Sequence, residues 1–180
     1  MRLLISDEEK AHVDMAYPLP WRSTAACFNF KAPTRTILPG DVIKRPKMVT
    51  TLVIGCVLDD YSFISKMKDL EQLYIYKATN ITDLSFLKSL IKLRQVYIID
   101  AHVDSLSGLV ELINEKYNAY KPYSELSPSQ ELDARLEYGF EGICIQSDIY
   151  EGDGTELIMP DICRNDIWVN GKHVKTGWFY

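Results

Sequence analysis

Residues 70–112 read LEQLYIYKATNITDLSFLKSLIKLRQVYIIDAHVDSLSGLVEL, and this stretch repeats itself. Asp83–Leu93 lies over Asp60–Leu70 at an offset of 23 residues, so that Tyr61 meets Leu84, Phe63 meets Phe86, Ile64 meets Leu87, Met67 meets Leu90 and Leu70 meets Leu93. A third copy places Val103, Leu106, Leu109 and Leu112 at an offset of 22 from Ile81, Leu84, Leu87 and Leu90. Each apolar arc is preceded by a short alternating triplet: Leu52-Val53-Ile54, Leu73-Tyr74-Ile75 and Val96-Tyr97-Ile98. Alternation of that kind predicts a short strand whose outer two side chains point inward. One such unit cannot bury its own apolar ridge and must stack on its neighbours.

A fixed period in the low twenties, strand followed by a helical or 3₁₀ arc, is the pattern of leucine-rich repeats. Leu70-x-x-Leu73-x-Ile75 followed by Asn80-Ile81-Thr82-Asp83-Leu84-x-x-Leu87 resembles the short internalin-type repeat of bacteria, over about residues 50–115. The family carries an Asn shortly after the strand. Here Ala101 holds that place in the third copy, and Ala78 or Asn80 in the second. The resemblance implies an α/β chain built as a short leucine-rich repeat solenoid. Its parallel strands would line a concave face and its short helical or 3₁₀ arcs a convex one. Residues 1–49 are expected to form an N-terminal cap, 50–115 the repeat core, and 116–180 a C-terminal cap of helix and β-hairpin.

Within each triplet the middle residue is expected to face outward, with the residues two before and two after it. Neighbouring strands lie about 4.8 Å apart, so like positions stack as columns. The columns are Thr51-Gln72-Gln95, Val53-Tyr74-Tyr97 and Gly55-Tyr76-Ile99. Gln72, Tyr74, Tyr76, Gln95, Tyr97 and Ile99 therefore form the candidate protein-binding site, since interfaces favour rigid, amphipathic tyrosine. Two ordinary readings compete with it. Tyrosines pair well across strands whatever they touch, and the C-terminal segment could fold over the face.

The flanks carry their own signals. Ser6-Asp7-Glu8-Glu9 has the form of a capping box before a helix from about 7 to 16. Cys27-Phe28-Asn29-Phe30 alternates like a strand. Residues 113–139 are expected to leave the repeat through Lys116, Tyr117 and Tyr120, with Ser127-Pro128 opening a helix to about 138. Glu131 and Arg135 can pair on that helix. Gly142–Gln146 reads as a further strand, since Ile143 follows Val96 by two repeat lengths. Thr155–Met159 reads as a returning strand. Asn170-Gly171 marks a hairpin with a type I′ turn. The aromatic end Trp178-Phe179-Tyr180 is expected to dock on the cap.

Composition narrows the function classes. A net charge of −5 and a single basic knot at Lys44, Arg45 and Lys47 speak against nucleic acid or an anionic membrane as partner, both of which need a basic footprint. No apolar run approaches a membrane span or a signal peptide. Cys27, Cys56, Cys144 and Cys163 lack CxxC spacing and are expected as free thiols in a reducing cytoplasm. Asp148, Glu151, Asp153, Glu156 and Asp161 do not match a calcium loop. The chain holds no P-loop, dinucleotide fingerprint, HExxH or nucleophile elbow, so no catalytic, cofactor or metal residues are assigned. Three functions remain. The first is a non-enzymatic protein-binding module of adaptor or immunity-like role. The second is a homodimer joined through the sheet face or edge. The third, a distant one, is a hydrolase-like enzyme with a cleft between the repeat core and the C-terminal cap.

Overall fold

The computed structural model describes residues 2–6, 26–29, 45–55, 57–58, 60–76, 81–120, 127–157 and 167–175, the first two segments as backbone only. The chain is mixed α/β with a mostly parallel sheet. Its strands are β1 (Arg2–Ser6), β2 (Ala26–Asn29), β3 (Thr51–Gly55), β4 (Gln72–Tyr76), β5 (Gln95–Ala101), β6 (Gly142–Ser147), β7 (Ile167–Val169) and β8 (Lys172–Lys175). They lie in the order β2-β1-β3-β4-β5-β6-β7-β8. Every neighbouring pair is parallel except β7 and β8.

Register follows the alternating triplets. Leu52, Leu73, Val96, Ile143 and Ile167 sit opposite one another along one row, and Ile54, Ile75, Ile98, Ile145 and Val169 along another. All ten are buried, and burying each such side chain stabilises by about 1.5–3 kcal/mol. The strand entrances are tied by a recurring backbone bond: Glu71 N–H donates to Thr50 O at 2.8 Å, Arg94 to Glu71 O at 2.7 Å and Glu141 to Arg94 O at 2.7 Å.

The arcs behind the sheet close the core. Two of them contain 3₁₀ turns, Ser62–Lys66 and Ser85–Leu87, and the third is a full helix, α1 (Ser107–Tyr120). Their inward residues Ile64, Met67, Leu84, Leu87, Leu90, Leu106, Leu109 and Leu112 are fully buried. An aspartate opens each 3₁₀ turn. Asp60 Oδ1 accepts the Ser62 N–H, and Asp83 Oδ1 the Ser85 N–H, both at 2.7 Å. The serine hydroxyls first, and these backbone bonds second, hold both carboxyls below the usual carboxylate range. Asp60→Ala and Asp83→Ala are each expected to cost about 1 kcal/mol, the net contribution of a typical hydrogen bond. Because the folded-state values are depressed, that stability is present above the unfolded carboxyl pKa and is lost as pH falls through the folded one. Urea titrations at neutral and acidic pH check this: the gap between wild type and variant closes in acid.

Several sequence expectations meet a different structure. Ser6 ends β1, and the helix expected over residues 7–16 lies outside the described residues. β2 covers residues 27–29 of the predicted 27–30 strand, and β1 separates it from β3. Residues 113–120 do not leave the core. They continue α1, with Tyr120 buried and Tyr117 packed on the core. Thr155–Leu157 is a 3₁₀ turn, not a strand. Asp153 Oδ1 accepts from the Thr155 N–H and hydroxyl at 3.0 and 2.7 Å, and Gly154 turns the chain at φ 76. α2 (Pro128–Tyr138) occupies the predicted helix, and Gln130 Oε1 accepts the Ser127 hydroxyl at 2.8 Å at its start. The side chains of Glu131 and Arg135, the tail 176–180 and residues 158–166 lie outside the described residues. The hairpin is of type I′, with φ 48 at Asn170 and 72 at Gly171, the positive pair that turn requires.

Candidate functional site

With alternate residues turned into the core, the others make up the opposite, outer face of the sheet. Thr51, Val53 and Gly55 of β3, Gln72 and Tyr74 of β4, and Gln95, Tyr97 and Ile99 of β5 are all half-buried, and Tyr76 is exposed. All six predicted site residues thus lie on this face. The register Gln72↔Gln95, Tyr74↔Tyr97 and Tyr76↔Ile99 brings them together as pairs.

Polar bonds order the face. The Tyr74 and Tyr97 rings stack at 5.2 Å between centroids, 18° from parallel. The Tyr74 hydroxyl donates to Gln95 Oε1 at 2.6 Å, and Gln95 Nε2 donates to Glu141 Oε2 at 2.7 Å. Glu141 also pairs with the Arg94 guanidinium. Thr51 Oγ1 donates to Gln72 Oε1 at 3.1 Å. The Tyr97 hydroxyl lies over Gly142, where a Cβ would stand 3.1 Å from it. Glycine leaves the ring room to lie flat across β6.

The aromatic row runs further than the sequence columns implied. Tyr97 is opposite Cys144, Cys144 opposite Trp168, and Trp168 opposite His173. The Trp168 indole stacks on the His173 ring at 4.7 Å and remains 40% exposed. The signal for this was present: Cys144 follows Tyr97 by 47 residues and Trp168 follows Cys144 by 24, close to two repeat lengths and one. Through β3–β7 these outer rows contain no Asp, Glu, Lys or Arg.

Other polar groups lie near the face. His102 Nδ1 and Asp148 Oδ1 are 2.5 Å apart beyond the C-terminal ends of β5 and β6. The Cys144 thiol is free and pushed up in pKa by burial, away from the thiolate that a nucleophile needs. A recess of about 490 Å³ opens among Cys144, Gln146, Asp148, Tyr150, Trp168 and Asn170. A second, of about 440 Å³, lies at the arcs between Asp60 and Asp83. Among the described residues no group of three or more His, Cys, Asp or Glu side chains could hold a metal, and no helix is long and apolar enough to cross a membrane.

Comparison with protein-family models, curated proteins and solved structures finds no match to this chain. The described residues give the class of the chain directly. It is a mixed α/β protein whose mostly parallel sheet turns one side to the core and an uncharged row of aromatic and amide side chains outward.

Proposed function

We propose that this chain is a non-enzymatic binding module, a short leucine-rich repeat solenoid that holds a protein partner on the outer, concave face of its sheet. The observation that carries the proposal is the ordered Tyr74–Tyr97 stack, tied to Gln95 and Glu141. Side chains already fixed by such bonds lose little entropy on binding. Among the described residues the outer rows of β3–β7 carry no charged side chain, which suits a protein surface and not a phosphate backbone. The repeat offsets in the sequence and the matched register of β3, β4 and β5 support the solenoid reading. A reducing, cytoplasmic setting fits the free Cys144 thiol.

The test is a paired capture. Immobilised wild type and Tyr74→Ala/Tyr97→Ala are exposed to the same native extract, after circular dichroism has shown both to be folded. The partner is expected on the wild type alone, since truncating a hot-spot aromatic costs about 2 kcal/mol or more. A partner kept by the folded variant removes the face from the proposal. Mass measured against concentration separates capture of a foreign protein from pairing of two copies.

A further inference from the structure

We propose that the recess at the C-terminal ends of β6 and β7 is the seat for a basic side chain, arginine or lysine, of the protein partner. The inference deepens the reading of the outer face and rests on it. The recess lies on the same row as the tyrosine stack. From Tyr97 the register passes through Cys144 to Trp168, two strands along and so about 10 Å away. A partner strand or loop lying along the row reaches it.

Its chemistry suits a cation. The exposed part of Trp168 presents an indole already held by the His173 stack, and an indole face attracts guanidinium and ammonium groups. Asp148 brings a carboxylate to the lining. One of its oxygens is engaged by His102, and a carboxylate retains lone pairs for further donors. Ser147 and Asn170 are committed to the fold. The Ser147 hydroxyl donates to Val103 O at 2.6 Å, while Asn170 accepts from Ser147 N–H at 2.8 Å and donates to Tyr150 O at 2.9 Å. They shape the recess, and Asp148 is the one carboxylate among its described lining residues, beside the exposed Gln146 and the half-buried Tyr150.

The surrounding field has the matching sign. Between Gln146 and Leu157 the chain carries Asp148, Glu151, Asp153 and Glu156, all exposed, and no Lys or Arg. Among the described residues, Lys172 acts on Asp153 of this turn. An anionic or purely apolar anchor would gain nothing from those carboxylates. A guanidinium gains a charge-assisted bond and a ring to lie on.

The experiment needs no knowledge of the partner. The full chain, labelled with ¹⁵N, is titrated with acetyl-arginine methylamide and, in parallel, with acetyl-norleucine methylamide. The indole N–H signal of Trp168 is identified by its loss in Trp168→Phe. A saturable shift of that signal is expected with the arginine compound and not with the norleucine one. Asp148→Asn, which keeps an oxygen for His102, is expected to weaken binding by about fivefold, the effect of losing one exposed charge pair. An equal shift with norleucine, no shift at Trp168, or unchanged affinity in Asp148→Asn overturns the proposal. Failure here is separable from failure of the face. A partner lost with the tyrosine double variant but kept by Asp148→Asn would leave the face in place and remove the recess.

Discussion

Gly108→Ala is expected to destabilise the protein by roughly 3 kcal/mol or more, at the upper end of what overpacking does. Gly108 stands in the first turn of α1 and is buried. A Cβ there would lie 2.1 Å from both the carbonyl carbon and oxygen of Leu84, and 2.5 Å from Ser85 N. These are backbone atoms of the preceding arc, which cannot rotate aside as a side-chain tip would. Helix propensity alone favours alanine over glycine by about 1 kcal/mol, so local preference and packing predict opposite signs. Packing wins because relief of the clash must move the helix. Leu109 and Leu112, both fully buried, move with it and lose contact with the arc behind β4. The denaturation midpoint is the readout. Gly171→Ala is the control: nothing lies within 4 Å of its Cβ, and its φ of 72 leaves only the left-handed backbone cost of about 1–2 kcal/mol. A Gly108→Ala protein as stable as wild type would mean that α1 does not approach Leu84 this closely.

The second large effect belongs to Lys116. Its side chain is fully buried. The Nζ donates to Ile91 O at 2.8 Å and Leu93 O at 2.7 Å, 4.7 Å from the centre of the Phe140 ring. Burial, reinforced by the Arg94 guanidinium, which itself pairs with Glu141, lowers its pKa to about 7. A neutral amine has two N–H donors, one for each carbonyl. The folded value lies below the ordinary one near 10.5, so between them the unfolded chain binds more protons than the folded chain. Stability contributed by this group therefore rises with pH from about 7 to about 10, by a few kcal/mol, on the order of 4. Below pH 7 both states are protonated and the penalty stays constant. Tyr150 works against the rise at its upper end. Burial and Glu156 push it up to about 12, so above pH 10 the unfolded chain loses that proton first and stability falls. Lys116→Met keeps the stem and cannot titrate. The difference in unfolding free energy between wild type and Lys116→Met is expected to grow in favour of wild type from pH 7 to 10. A flat difference would mean that the ammonium reaches water.

What could be read from sequence follows physical locality. The rows Leu52-Leu73-Val96 and Val53-Tyr74-Tyr97 are set by alternation and a fixed offset, so the register of β3–β5 and the outward side of six candidate residues were visible in advance. The Asn170-Gly171 turn was visible because both positions need positive φ. β1 was missed, since Arg2–Ser6 carries no turn signal and its two neighbours, β2 and β3, are far along the chain. Lys116 was placed with the residues leaving the core, because a lysine is rarely buried. Only the facing carbonyls of Ile91 and Leu93 explain its position. Gly108 likewise looks like a helix weakness until Leu84 is seen beneath it. Over Thr155–Leu157 the expected strand fails because Asp153 and Gly154 turn the backbone into a 3₁₀ turn. Trp168 was assigned to a hairpin cap, and its alignment with Tyr97 needed β6 as the intermediate.

The long connection between β5 and β6 has a cost that the other joints within β3–β7 avoid. Gln72 lies opposite Gln95 after one repeat length, whereas Gln95 meets Gly142 only after both helices have intervened. Loop-closure entropy rises by about 0.6 kcal/mol for each doubling of the closed segment. This joint carries polar ties across it: Arg94 to Glu141, Gln95 to Glu141, and the backbone bond from Glu141 to Arg94 O. A hydrogen bond to a charged group contributes about 1.5–3 kcal/mol, enough to offset the extra chain. Glu141 thereby joins β3–β5 to β6–β7 across the longest connection within those five strands.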